Sequence, residues 1–160
     1  MTTQAGHFFD KETNRIWDMI NQCAEADLYQ PIRDDDWTAF MILAHLATTS
    51  KGLLNLAKQN YRAVKAGDAP PAPAVDFDLD RFNVEQVALW AGRPLSDVRD
   101  SWAETSLRFH QFITTLSDED LALPARFATG TPMTLGDLLN VVTGHLRMHR
   151  LELERGLQRK

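Results

Sequence analysis

Apolar side chains recur at alternating three- and four-residue intervals through most of the chain, the period that gathers them on one face of an α-helix. In the first segment Phe9, Thr13, Ile16, Ile20 and Cys23 form such a stripe, with Lys11, Asn14, Arg15 and Asp18 left for the wet side. Pro31 ends this run. The acidic residues Asp34, Asp35 and Asp36 predict a capping oxygen and negative charge at the positive end of a second helix, which begins near Trp37. That helix, AFMILAHLATTSKGLLNLAKQNYRAV, is apolar around much of its early circumference and runs to about Lys65, with Gly67 as its stop. The stretch AGDAPPAPAVDFDLD, Ala66 to Asp80, follows. Pro70, Pro71 and Pro73 remove amide donors there and hold the chain extended. It reads as a crossover linker inside one domain covering residues 1–160, because each flank alone would be a helix pair with an uncovered apolar face.

A short helical piece, RFNVEQVALWAG, leads to a break at Gly92 and Pro94. Leu95, Val98, Trp102, Thr105, Phe109, Phe112 and Leu116 then mark a third long helix with a heptad-like stripe. Ser117 with Asp120 predicts one brief helical turn, and Pro124, Gly130 and Pro132 mark a loop. Thr134 opens the last helix, with Asp137 completing a capping box, and Leu135, Leu138, Val142, His145, His149 and Glu152 follow along one side. No alternating pattern is long enough to build a sheet. The expected class is all-α, a four-helix bundle with a long connection between its second and third helices.

Composition narrows the partners. Acids and bases are dispersed around a net charge of -5, with no basic block to neutralise a row of phosphates, which argues against nucleic acid. The single cysteine, Cys23, has no internal partner for a disulfide, and the N-terminal MTTQAGHFFDKE lacks the basic and apolar regions of a signal peptide, so a cytoplasmic location is expected. The apolar segment from Phe40 to Ala47 is far short of the roughly 20 residues that cross a bilayer, and no membrane association is expected.

Five histidines carry the candidate chemistry. His145 and His149, four residues apart, lie on one helix face and can aim two imidazoles at one point. Chance often produces that spacing, and a lone core histidine is usually satisfied by a hydrogen bond. His45 changes the reading, because it sits in FMILAHLA, where a polar ring needs a partner. A divalent metal gives all three a common explanation, and three protein ligands leave coordination open for water or substrate. Glu152 could orient His149, accept a proton as a catalytic residue, or pair with Arg155 or Arg159. His7 and His110 read as surface residues, Trp37 and Trp90 as candidates for a pocket mouth, and Trp102 as core. A di-iron carboxylate site would need several inward glutamates with a Glu-x-x-His arrangement, which this chain does not supply. The nearest approach, His149 with Glu152, runs in the reverse order.

Taken in order, WTAFMILAHLATTSKGLL, DRFNVEQVA, LSDEDL and TLGDLLNVVTGHLRMHRLEL resemble the DinB-like superfamily over nearly the whole chain. The most specific part is one histidine on the second helix paired with HxxxH on the last. The resemblance implies an up-down-down-up bundle, with the proline-rich stretch as the long crossover. It also implies that His45, His145 and His149 ligate a divalent metal, commonly nickel or zinc. Its activities include transferases and isomerases that use a low-molecular-weight thiol such as mycothiol or bacillithiol. The related maleylpyruvate isomerases carry a carboxylate where this chain has His145, and they add a further domain, so a three-histidine site looks closer to the transferase or hydrolase branches. The expected function is that of a thiol-dependent S-transferase acting on an electrophilic small molecule through a metal-activated thiolate. The alternatives are a metal-dependent hydrolase, a non-catalytic stress or interaction module pinned by its metal, and a bundle that binds an apolar ligand. Exposed apolar residues on the first and third helices would support a homodimer.

Overall fold

The computed structural model describes residues 4–73 and 77–158. In chain order its elements are α1 (Gln4–Asn21), α2 (Ala39–Lys65), α3 (Leu79–Ala88), α4 (Leu95–Ile113), α5 (Asp118–Leu121), the strands β1 (Pro124–Arg126) and β2 (Pro132–Thr134), and α6 (Leu135–Leu157). The four long helices are those the apolar stripes predict, and their stripes meet in one core. Phe9 and Ile16 from α1, Ile42 and Leu46 from α2, Val98 and Phe109 from α4, and Leu138 and Leu146 from α6 are all fully enclosed. Trp102 is core as expected, at 1% exposure.

Side-chain contacts fix the helix directions. The Phe9 ring stacks on Phe109 while Arg99 donates to Asn21, so α1 and α4 run antiparallel. The Trp90 indole, just before α4, donates to Thr48, and Tyr61 meets Phe112, so α2 and α4 run parallel. Phe8 shares a groove with Asn140 and Met19 shares another with Leu157, which makes α1 and α6 parallel. His45 lies near His149 while Leu53 faces the same cavity as Val141, so α2 opposes α6. Along the chain this is up, down, down, up, and a connection spanning the bundle must join α2 to α4. The proline-rich stretch and α3 supply it. Ala74, Val75 and Asp76 of that stretch lie outside the described residues.

Three local readings change. The cap of α2 is Thr38, whose hydroxyl accepts from the Met41 amide, and Asp34–Asp36 lie one turn too early for the role. They occupy a tight turn in which Asp36 takes a left-handed φ of 63° and Ile32 N–H donates to Trp37 O, so the chain reverses before the helix starts. Cys23 falls just past the end of α1. The loop between Pro124 and Pro132 is an antiparallel hairpin pairing Ala125 with Met133, whose three-residue strands are too short to show a period. Asn60, 1% exposed, clamps it to α2 by accepting from Arg126 N–H and donating to Arg126 O. The capping boxes at Ser117 with Asp120 and at Thr134 with Asp137 form as read.

Two contacts lock α6 in place. Arg150 is buried beside His149 and donates to Glu12 of α1 at 2.6 Å and to Glu154. This charge-assisted pairing satisfies a guanidinium that burial would otherwise penalise. Farther along, Gly156 lets the chain before α2 press against α6, since a Cβ there would lie 2.6 Å from Ile32 Cβ. Replacing Gly156 by alanine should therefore cost about 1–3 kcal/mol of stability by overpacking, despite alanine's better helix propensity. Urea denaturation checks this, and a stabilised variant would contradict the close approach.

Candidate metal centre

α2 and α6 bring together the three histidines singled out in the sequence. His45 Nε2 lies 3.1 Å from His145 Nε2, and His149 Nε2 lies 3.2 Å from the same atom. Ligand atoms of the three all fall within 4.8 Å of one another, close enough to hold one metal ion. A tetrahedral ion with nitrogen ligands at 2.0–2.1 Å requires nitrogens about 3.3 Å apart, close to the observed spacing. His45 and His149 are 4% and 6% exposed, and His145 is partly buried.

Protons on these rings can be placed from their neighbours. The Thr49 hydroxyl donates its only hydrogen to His45 O at 2.6 Å, so its oxygen accepts from His45 Nδ1–H at 3.3 Å. Glu152 Oε2 accepts from His149 Nδ1–H at 2.6 Å. Both rings therefore present an Nε2 lone pair toward His145. Its Nε2 carries one hydrogen at most and could serve only one of them, while its Nδ1 is buried with no partner. Three neutral imidazoles cannot satisfy one another in this arrangement. A divalent cation accepting all three lone pairs removes the conflict, and the donor set fits zinc or nickel.

Electrostatics keeps the rings unprotonated. Burial, aided by His149 and Arg33, lowers the His45 pKa from 6.5 to about 4, and burial with the other two histidines lowers that of His145 to about 3. His149 is also lowered by burial, against an opposing pull from Glu152. At neutral pH all three are free bases, the form that binds metals.

Glu152 uses both oxygens, one on His149 and the other on Arg33 Nη1 at 3.2 Å. Of the pairings considered from the sequence, Arg155 instead donates to Leu151 O, and Arg159 lies outside the described residues. Arg33 also binds Asp35 and lies 4.9 Å above the Trp37 ring, which meets His45 edge-on. Sequence reasoning passed over Arg33 and Thr49. Arg33 stands in an irregular loop with no period to expose it, whereas Thr49, one helical turn after His45, was within reach of an i, i+4 argument.

On another side, His45 and His145 bound a cavity of about 300 Å³ whose walls include Phe77, Phe82 and Phe127. Trp37 lines a larger apolar groove with Phe40 and Val87, as read for a pocket mouth. Trp90 is tied to Thr48. His7 is exposed, and His110, read as a surface residue, is partly covered and bonded to Asp10 at 2.6 Å. Neither joins the cluster.

Comparison with known proteins places these features. A family model described as the DinB superfamily matches residues 9–153. Among solved structures, YfiT from Bacillus subtilis, described as a probable metal-dependent hydrolase with an unusual four-helix bundle topology, superposes with a TM-score of 0.76 at 15% identity. The match covers 98% of this chain and 85% of YfiT. An uncharacterized protein from Clostridium difficile 630 gives 0.69 at 14% identity, over 95% of this chain and 92% of that one. No curated protein matches the sequence.

The lowered pKa values set a pH dependence for the metal-free protein. Below about 6.5 the unfolded chain protonates His45 and His145 while the folded state resists, so unfolding takes up protons and stability is lost as the pH is lowered. The loss should accumulate from about 6.5 to about 4 for His45 and to about 3 for His145. Urea titrations should show a shallower acid limb for His145→Gln than for the wild type, and parallel limbs would contradict the reading.

Proposed function

The chain belongs to the DinB superfamily, and from that membership we propose that it is a divalent-metal-dependent enzyme with His45, His145 and His149 as ligands. The observation that supports this most is the meeting of three Nε2 atoms, two of them fixed as lone pairs by Thr49 and Glu152. Nickel or zinc held there would supply Lewis acidity and an activated nucleophile at neutral pH. Structural zinc sites close with four protein ligands, whereas among the described residues this cluster has three and borders a cavity. That favours catalysis over a metal that only pins α2 to α6.

Residues around the cluster divide the work. Glu152 acts on His149 as a positioning residue, because its two oxygens are committed to the imidazole and to Arg33. Arg33 holds the carboxylate in that pose, and Thr49 fixes the tautomer of His45. The apolar walls beside His45 and His145 exclude water from one flank and receive the organic part of a substrate.

Water is the nucleophile we favour, giving a hydrolase acting on a small electrophile, and the description of YfiT as a probable metal-dependent hydrolase supports it. The second reading is S-transfer from a low-molecular-weight thiol. The cavity beside the histidines has no charged residue in its lining and offers little to the polar body of mycothiol or bacillithiol.

Elemental analysis should find about one nickel or zinc per chain, and His149→Ala should lose it. Glu152→Gln should keep the ligand set while weakening metal affinity about 10–100-fold. Hydrolysis of a small ester and amide panel should stop on chelation and return with metal. Turnover that requires an added thiol would select the second reading, and full metal content in His149→Ala would overturn both.

A further inference from the structure

The cavity that His45 and His145 bound is elongated along α2. Its wall on that helix runs through His45, Thr49, Leu53, Leu56 and Gln59, and from the first to the last the helix rises about 20 Å at 1.5 Å per residue. α6 runs the opposite way and adds His145 and Val141, so both histidines stand at one end. Gln59, at the other end, is exposed to solvent. Between the ends lie three phenylalanines. Phe77 and Phe82 come from the crossover and α3, with their rings 5.7 Å apart. Phe127 comes from the hairpin that Asn60 holds to α2, which places it in the half of the cavity away from the histidines.

Charge is distributed as unevenly as shape. No acid, lysine or arginine is among the described residues that line the cavity. A metal ion on the three histidines would therefore be the one full charge on its surface. A ligand that fits brings an anionic or electron-pair-donating group to the histidine end and lays an uncharged body along the phenylalanines. An anion anywhere else would lose hydration without gaining a counter-ion. An apolar cavity of about 150 Å³ accommodates benzene, so one of about 300 Å³ has room for a ring and a short chain.

We propose that the cavity takes an arylalkanoyl group, with its carbonyl or carboxylate at the histidine end and its ring among Phe77, Phe82 and Phe127. This rests on the metal-dependent hydrolase reading and names its substrate class, an ester or amide of an arylalkanoic acid. In that hydrolysis the oxygen of water bonds to the acyl carbon, the C–O or C–N bond breaks, and the departing alcohol or amine leaves with a proton. The acid is the product.

The test loads the full chain with cobalt, whose visible absorption reports ligands at the metal, and measures calorimetric binding of 4-phenylbutyrate, octanoate, acetate and 4-phenylbutanol. 4-Phenylbutyrate should shift the cobalt bands and bind about 10–100-fold tighter than acetate, from burial of its apolar body. It should also bind about twofold to tenfold tighter than octanoate, from ring-on-ring contact. Chelation should weaken 4-phenylbutyrate about tenfold or more, because its carboxylate loses its only counter-charge. The uncharged 4-phenylbutanol should change by less than about threefold. Phe82→Ala should weaken 4-phenylbutyrate about threefold to tenfold and leave acetate binding and cobalt content unchanged. Phe82 is only half-buried, and the comparison of ligands on the wild type stands without the variant. A chain that takes up no cobalt would overturn the metal reading and this proposal with it. A cobalt-loaded chain that binds acetate as tightly as 4-phenylbutyrate, that prefers octanoate, or that keeps its ligand preference in Phe82→Ala would overturn this proposal alone.

Discussion

Three imidazole nitrogens meet at 3.1–3.2 Å with too few hydrogens to go round. In water such rings would turn aside and hydrate. Here His45 and His149 are almost fully enclosed, and each has its other nitrogen tied down, one to Thr49 and one to Glu152. Two lone pairs are thereby aimed at His145, and burial keeps it from answering with a positive charge. The folded chain holds an electrostatic demand that a cation satisfies better than a proton.

The bundle bears the cost of keeping that demand in place. α6 cannot slide, because Arg150 is tied to Glu12 of α1 and Gly156 is pressed by Ile32. Ile32 in turn sets the loop from which Arg33 reaches Glu152, and Glu152 sets His149. A packing contact near the end of the last helix thus connects to the orientation of an imidazole two turns away. On the opposite flank the crossover carries α3 and its side chains to the cavity, and Asn60 fastens the hairpin that adds Phe127 to the same wall.

The long helices and the triad could be read from the sequence because both are periodic. Four apolar stripes predict four helices, i, i+4 spacing puts His145 and His149 on one face, and an imidazole inside FMILAHLA must find a partner. The missed features depend on where the chain goes between helices. Asp34–Asp36 look like a cap by composition, but a left-handed turn at Asp36 moves the helix start to Thr38. That turn also shapes the loop bearing Arg33.

The central claim is that one metal ion takes the three Nε2 atoms and keeps coordination free for chemistry. X-ray absorption on zinc-loaded protein tests it most directly. The account predicts three imidazole nitrogens at about 2.0–2.1 Å with at least one further light-atom ligand that exchanges with added small anions. A shell with two imidazoles or fewer, or one closed by protein ligands that no anion displaces, would contradict it.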